Sequence, residues 1–136
     1  MGAPAATDSA TEPVVRRFMQ CRRRGPLDPS EITQLLTEDA EYVEIIDGKA
    51  LSVTGAVHIA EVFRRLWGGI APGATMQVIR HAVVDEGTAV GHWVRSSGGV
   101  EVHGRDTLTL TGGRISRITV EEFAGARIPD LTAVRA

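Results

Sequence analysis

Apolar and polar positions alternate most regularly between Val100 and Phe123. Val100, Val102, Gly104, Leu108 and Leu110 fall on one face of a strand, and Glu101, His103, Arg105, Thr107 and Thr109 on the other, because strand side chains alternate with period two. Gly112-Gly113 supplies the positive φ of a tight turn, after which residues 114–123 return as a final strand. Asp106 breaks the pattern, since the alternation places it on the apolar face. A carboxylate there must be hydrogen-bonded, ion-paired or kept protonated. In the purely structural reading, a backbone N–H or Arg95 satisfies it.

Upstream the period changes to that of helices. Thr11 is read as the cap of a helix with Pro13 in its first turn. Val14, Phe18 and Cys21 share one face of this helix, with Val15 and Met19 beside them. Arg22, Arg23 and Arg24 close it where cations suit the helix dipole, and Gly25-Pro26 stops it. The three arginines are read as a solvated helix end, with an anion site as the alternative. Asp28-Pro29-Ser30-Glu31 starts a short second helix that turns Ile32, Leu35 and Leu36 inward. Residues 40–46 read as a strand with Tyr42, Glu44 and Ile46 on one side. Asp47-Gly48 makes a turn, and Leu51 to Val53 a short irregular strand. Thr54-Gly55 opens a third helix with Ile59, Val62, Phe63, Leu66 and Trp67 as its inward stripe, ended by Gly68-Gly69. Strands follow at about 75–84, 88–97, 100–110 and 114–123. The chain thus divides into a flexible N-terminal tail (1–10), a single domain (11–123) and a C-terminal tail (124–136).

This order, two helices, a strand, a helix and then four strands, predicts an α+β fold. It is a strongly curved, mostly antiparallel sheet wrapped around three helices, cone-shaped with a central hydrophobic pocket. Composition narrows the function. With 136 residues there is one sizeable core, and 43% hydrophobic with 24% charged residues is ordinary for a globular chain. A net charge of −2 gives no electrostatic case for nucleic acid. No apolar run approaches the roughly 20 residues of a membrane span. The start has no secretory pattern, and the lone Cys21 excludes an internal disulfide and a cysteine-based metal site. A cytoplasmic protein is expected.

Three stretches carry a family resemblance. Leu36 to Glu44 (LTEDAEYVE), Thr54 to Phe63 (TGAVHIAEVF) and Asp106 to Ile115 (DTLTLTGGRI) resemble, in order and spacing, the nuclear-transport-factor-2-like superfamily. That group includes ketosteroid isomerase, limonene epoxide hydrolase and the SnoaL-like polyketide cyclases. The resemblance covers residues 11 to 123. It implies a cofactor-independent acid–base enzyme, an isomerase or cyclase acting on a hydrophobic cyclic small molecule of polyketide or steroid-like kind, and a homodimer formed through the outer sheet face. It also implies residue roles. Glu44 corresponds to the isomerase's carboxylate base. Asp106 corresponds to the protonated acid that stabilises the dienolate, or to the cyclases' acid–base aspartate. Phe18 stands where the isomerase has an oxyanion-hole tyrosine, a loss typically worth about 100-fold in rate. Against limonene epoxide hydrolase, Tyr42 matches the water-holding tyrosine and Glu44 its neighbouring asparagine. Trp93-Val94-Arg95 replaces its Arg-x-Asp pair, so the activating carboxylate is missing there.

The candidate site is therefore Asp106 and Glu44 as catalytic groups, with Tyr42, Trp93, Phe18, Phe63 and Arg95 toward the ligand. Trp93 shares its face with Ala89, Gly91 and Arg95, and the small neighbours leave room for a flat ligand; core packing is the alternative for the aromatic residues. Glu122 shares a face with Ile118 and Val120, with a third acid near the cavity rim as the alternative reading. His92 faces away from the pocket. His81 and His103 are not at metal-ligand spacing with any partner, and neither metal nor cofactor is expected. Two alternatives stay open: an epoxide hydrolase with Glu44 activating water and Asp106 protonating the epoxide, and a non-catalytic binding protein of the same fold.

Overall fold

The alternating C-terminal half forms the sheet. In the computed structural model, which describes residues 3–24, 29–46, 48–68 and 75–123, strands β3 (Thr75–Asp85), β4 (Thr88–Ser97), β5 (Val100–Thr111) and β6 (Arg114–Phe123) make an antiparallel meander. β1 (Leu36–Ile46) pairs parallel to β6 and antiparallel to β2 (Lys49–Thr54), giving the order β2-β1-β6-β5-β4-β3. The β5–β6 turn holds Gly112 and Gly113 at φ 61° and 81°, the left-handed region that a side chain would strain. Register shifts between Leu36 and Glu41 and between Thr109 and Leu110 mark bulges, which bend and twist a sheet. The result is the curved, unclosed, mostly antiparallel sheet of an α+β cone, as the sequence order predicts.

Three helices, α1 (Ala3–Arg24), α2 (Pro29–Thr33) and α3 (Ala56–Gly68), complete the chain. α1 packs on β3, while α3 packs on β1 and α2. Their buried stripes follow the helical period: Val15, Phe18 and Met19 on α1, and Ala56, Ile59, Ala60 and Phe63 on α3. These close on Tyr42, Ala89, Trp93, Leu108, Ile118 and Val120 of the sheet to make one core.

Three boundaries differ from expectation. α1 begins at Ala3, so residues 3–10 are helical and Thr11 lies inside the helix rather than capping it. The segment has little to bury, which suggested a tail, but its alanines have the highest helix propensity. Thr11 is buried, with its hydroxyl 3.5 Å from the Glu86 carbonyl. β1 starts at Leu36, four residues early, because Leu36 pairs with Ile115 and the Leu35 carbonyl accepts from the Ile115 N–H at 2.8 Å. Pairing with a distant strand overrides the helical spacing of Ile32, Leu35 and Leu36. β2 is a regular strand of six residues paired along its length. The expected C-terminal tail, the Gly25-Pro26 stop, Asp47 and the side chains of Ile46, Leu66 and Trp67 lie outside the described residues.

Candidate functional site

Register puts the site residues in two neighbouring rows across the concave face. One row runs Gly91, Asp106, Val120, Glu44, and the next Ala89, Leu108, Ile118, Tyr42. Trp93, Gly104 and Glu122 form a third row on the other side of Asp106. Asp106 and Glu44 are thus two strands apart on the same row, roughly 10 Å between their backbones at about 4.8 Å per strand.

Asp106 is 0% exposed and fully satisfied. Arg22 grips it in bidentate fashion, Nε donating to Oδ2 at 2.9 Å and Nη2 to Oδ1 at 2.8 Å, and the Trp93 indole N–H donates to Oδ1 at 3.0 Å. All three partners are donors, so both Asp106 oxygens act as acceptors. This corrects two expectations at once. The partner of Asp106 is Arg22 and not Arg95, and its oxygens accept three hydrogen bonds where a hydrogen-donating acid was expected. The carboxyl faces a buried cation and not apolar walls alone.

That cation was the missed residue. Arg22 is 4% exposed, not part of a solvated helix end. It continues the buried stripe Val15, Phe18, Met19 at the next helical step, a signal present in the spacing but masked by Arg23 and Arg24 beside it. Its guanidinium lies 5.8, 5.1 and 5.3 Å from the ring centroids of Phe18, Phe63 and Trp93. Guanidinium over aromatic faces is favourable, and more so when desolvated. Burial works against the charge, but Asp106, helped by Tyr42 and Glu44, more than offsets it and holds the Arg22 pKa above its ordinary value. Nη1 has no hydrogen-bond partner among the described residues.

On the same interior side, the buried Tyr42 hydroxyl donates to Glu44 Oε2 at 2.7 Å. Burial, and then the adjoining Glu44 carboxylate, push the Tyr42 pKa up against the opposing pull of Arg22, so the phenol stays protonated. Tyr42 packs edge-on against Phe63 with centroids 6.0 Å apart, and Phe18 does likewise at 5.7 Å. Glu44 itself is half-buried. The structure therefore brings Asp106, Trp93, Phe18, Phe63, Tyr42 and Glu44 together. Arg95 is separate: it reaches Glu122 at 3.3 Å, a half-buried pair at the rim of the sheet.

The room that small residues were expected to leave beside Trp93 is taken. A Cβ at Gly104 would fall inside the Trp93 indole, and one at Gly91 inside the end of Met19. Phe18, Phe63, Asp106, Leu108 and Ile118 are 0% exposed, so no water-sized void touches them. The half-buried Glu44, Arg95 and Glu122 mark where this interior meets its surface.

On the opposite face His92 and His103 stack with centroids 5.1 Å apart and a 2.8 Å Nε2–Nδ1 hydrogen bond, both buried. His92 faces away from the interior, as its alternation implies. Among the described residues, no three His, Cys, Asp or Glu side chains gather as a metal-holding group, and no helix is long and apolar enough to cross a membrane.

A curved sheet with helices laid against its concave side is the fold of solved nuclear-transport-factor-2-like proteins. The chain belongs to the SnoaL-like domain family, whose model matches residues 15–118. Solved structures agree on the fold. A Mesorhizobium loti NTF2-like protein of unknown function superposes with TM-score 0.72 at 17% identity, covering 86% of this chain and 93% of that one. A Kribbella flavida protein provisionally named a ketosteroid isomerase gives 0.71 at 18%, covering 96% and 91%. A Jannaschia protein provisionally named a SnoaL-like polyketide cyclase gives 0.68 at 13%, covering 84% and 85%. No curated protein matches the chain significantly in sequence.

Proposed function

We propose that the chain is a cofactor-independent acid–base enzyme, an isomerase or cyclase moving a proton next to a carbonyl in a hydrophobic cyclic small molecule. A polyketide or steroid-like compound suits the aromatic walls. The observation that supports this most is an enclosed cation, Arg22, caged by three rings on the same interior side as the half-buried carboxylate Glu44.

Glu44 is the base. It takes a proton from the carbon beside the carbonyl, and the electron pair moves onto the carbonyl oxygen. Arg22 stabilises that oxyanion, a role worth most where water is excluded. In an isomerase the protonated Glu44 returns the proton at a different carbon. In a cyclase the enolate carbon attacks a second carbonyl, and the proton goes to the new alkoxide. Tyr42 orients Glu44, and Asp106 with Trp93 holds Arg22, so Asp106 is a positioning residue in place of the oxyanion-stabilising acid. Phe18, Phe63 and Trp93 form the apolar walls. A substrate reaches Arg22 by displacing Phe63 from its close-packed position. The hydrolase alternative is less well supported, because both Asp106 oxygens are already engaged by Arg22 and Trp93 in a fully buried position. A cytoplasmic homodimer joined through the outer sheet face, around Thr107, Thr109 and Thr119, completes the reading.

A second reading, a binding protein that kept the fold without the chemistry, is favoured by the zero exposure of Asp106. One assay separates them. In D2O, a panel of hydrophobic cyclic β,γ-enones and 1,3-diketones is followed by NMR for exchange of the carbon-bound proton. The wild type accelerates exchange, and Glu44→Gln loses about 10²–10⁴-fold of it, the usual contribution of a positioned base. Binding of panel members without exchange establishes the second reading instead.

A further inference from the structure

Strand β2 forms one edge of the sheet, and its period sets Leu51 and Val53 on the concave side, with Ala50 and Ser52 on the other. Residues directly opposite on antiparallel strands share a face, and β1 pairs Tyr42 with Val53 and Glu44 with Leu51. Val53 follows that rule into the interior, where it is half-buried and packs against the core. Leu51, one step nearer the surface of the site, is 61% exposed.

An isolated surface leucine is ordinary and carries no message. Its position sets Leu51 apart. It stands directly across from the carboxylate assigned as the base, with the two backbones about 5 Å apart. Charged groups bound it on two sides. Exposed Lys49 follows on the same face toward the β1–β2 turn, and the Arg95–Glu122 pair marks the rim across β1. Leu51 is therefore an apolar step between charges, next to Glu44.

The order of strands fixes how a substrate lies. Arg22 is held on Asp106 of β5, Glu44 stands two strands on, and Leu51 one strand further. In the proposed reaction the carbonyl oxygen meets Arg22, and the carbon that loses its proton meets Glu44. The carbonyl-bearing ring thus fills the space between them, and whatever continues beyond Glu44 passes over Leu51. A single ring ends at Glu44 and leaves the leucine in water. A fused second ring reaches it.

We infer that Leu51 is a specificity-determining residue and that the substrate is a fused polycyclic ketone whose second, apolar ring rests on it. This inference rests on the acid–base reading of Arg22 and Glu44 for the direction in which the ligand lies.

Two β,γ-enones test it: cyclohex-3-enone and its bicyclic homologue, in which a saturated six-membered ring is fused at the double bond. Calorimetric titration of the full chain gives their affinities, and exchange in D2O their turnover. The wild type binds the bicyclic enone about tenfold or more tightly than the monocyclic one. Leu51→Ala, a truncation at an exposed position, weakens the bicyclic enone by about tenfold through the apolar contact it removes. Val57→Ala, at a 74% exposed apolar position on α3, changes neither affinity. In methyl-labelled protein, nuclear Overhauser contacts run from the Leu51 methyls to the second ring. Equal affinity for the two enones, no binding of either, an undiminished preference in Leu51→Ala, or no contact between Leu51 and the second ring would each overturn the inference. Failure of the acid–base reading looks different: the bicyclic enone still binds through Leu51 but does not exchange its proton.

Discussion

Asp106→Asn changes one atom of a buried cluster and is the sharpest perturbation available. The substituted amide can still accept at Oδ1 from Trp93 Nε1 and Arg22 Nη2, at the positions where both now donate within 3.0 Å. Its other end fails, because an NH2 group now faces the Arg22 Nε donor that sits 2.9 Å from Oδ2. Arg22 is left as a buried cation without a counter-charge. Breaking a buried pair by removing one partner costs about 3–5 kcal/mol, against roughly 5–15 kcal/mol for a whole domain. At about 4 °C per kcal/mol for a chain of this size, the melting temperature should fall by roughly 12–20 °C. Arg22→Met breaks the same pair from the other side and should cost a similar amount. Arg22→Met/Asp106→Leu, which removes both charges, should lie nearer the wild type than either single variant. Urea denaturation of the wild type, Arg22→Met, Asp106→Leu and Arg22→Met/Asp106→Leu makes the double-mutant cycle, with Asp106→Asn measured beside it. A cost below about 1 kcal/mol for Asp106→Asn, the value of a surface pair, would refute the buried-pair reasoning.

Other consequences are more local. Tyr42→Phe removes the donor on Glu44 and should lower kcat with little change in KM, together with about 1.5–3 kcal/mol of stability for a hydrogen bond to a charged group; thermal melts and steady-state kinetics check both. Gly104→Ala drives a methyl into the rigid Trp93 indole and should cost about 1–3 kcal/mol, whereas Gly91→Ala meets only the flexible end of Met19 and should cost less. Burial first, then His103 and Arg80, lower the His92 pKa below its ordinary value. The unfolded chain therefore binds the proton more readily than the folded one. Stability is full above about pH 6.5 and falls as the pH drops below that value. The denaturation midpoint should decrease between pH 8 and 5.5, and His92→Phe should flatten that slope.

The strands were legible because their signals are local. Alternation from Val100 to Leu110 and the Gly112-Gly113 turn fix β5 and β6 without reference to the rest of the chain. Asp106 stood out for the same reason, as a charge at an apolar position of a clean period. Where distant partners decide, local signals misled. Leu36 joins a strand because Ile115 pairs with it, although its spacing from Ile32 and Leu35 is helical. Arg22 pairs with a residue 84 positions away, and its membership of a run of three arginines hid its place on the buried stripe. The small residues Gly91 and Gly104 do mark close approach. What approaches is the protein's own Met19 and Trp93 rather than a ligand, a distinction that only the packed side chains make.

The most direct test of the caged Arg22–Asp106 pair is hydrogen exchange at the Arg22 Nε–H, resolved by 15N NMR. With Nε donating to a fully buried carboxylate, this proton should exchange far more slowly than that of the exposed Arg23, and the protection should vanish in Asp106→Asn. Exchange at Arg22 as fast as at Arg23 in the wild-type protein would contradict the account.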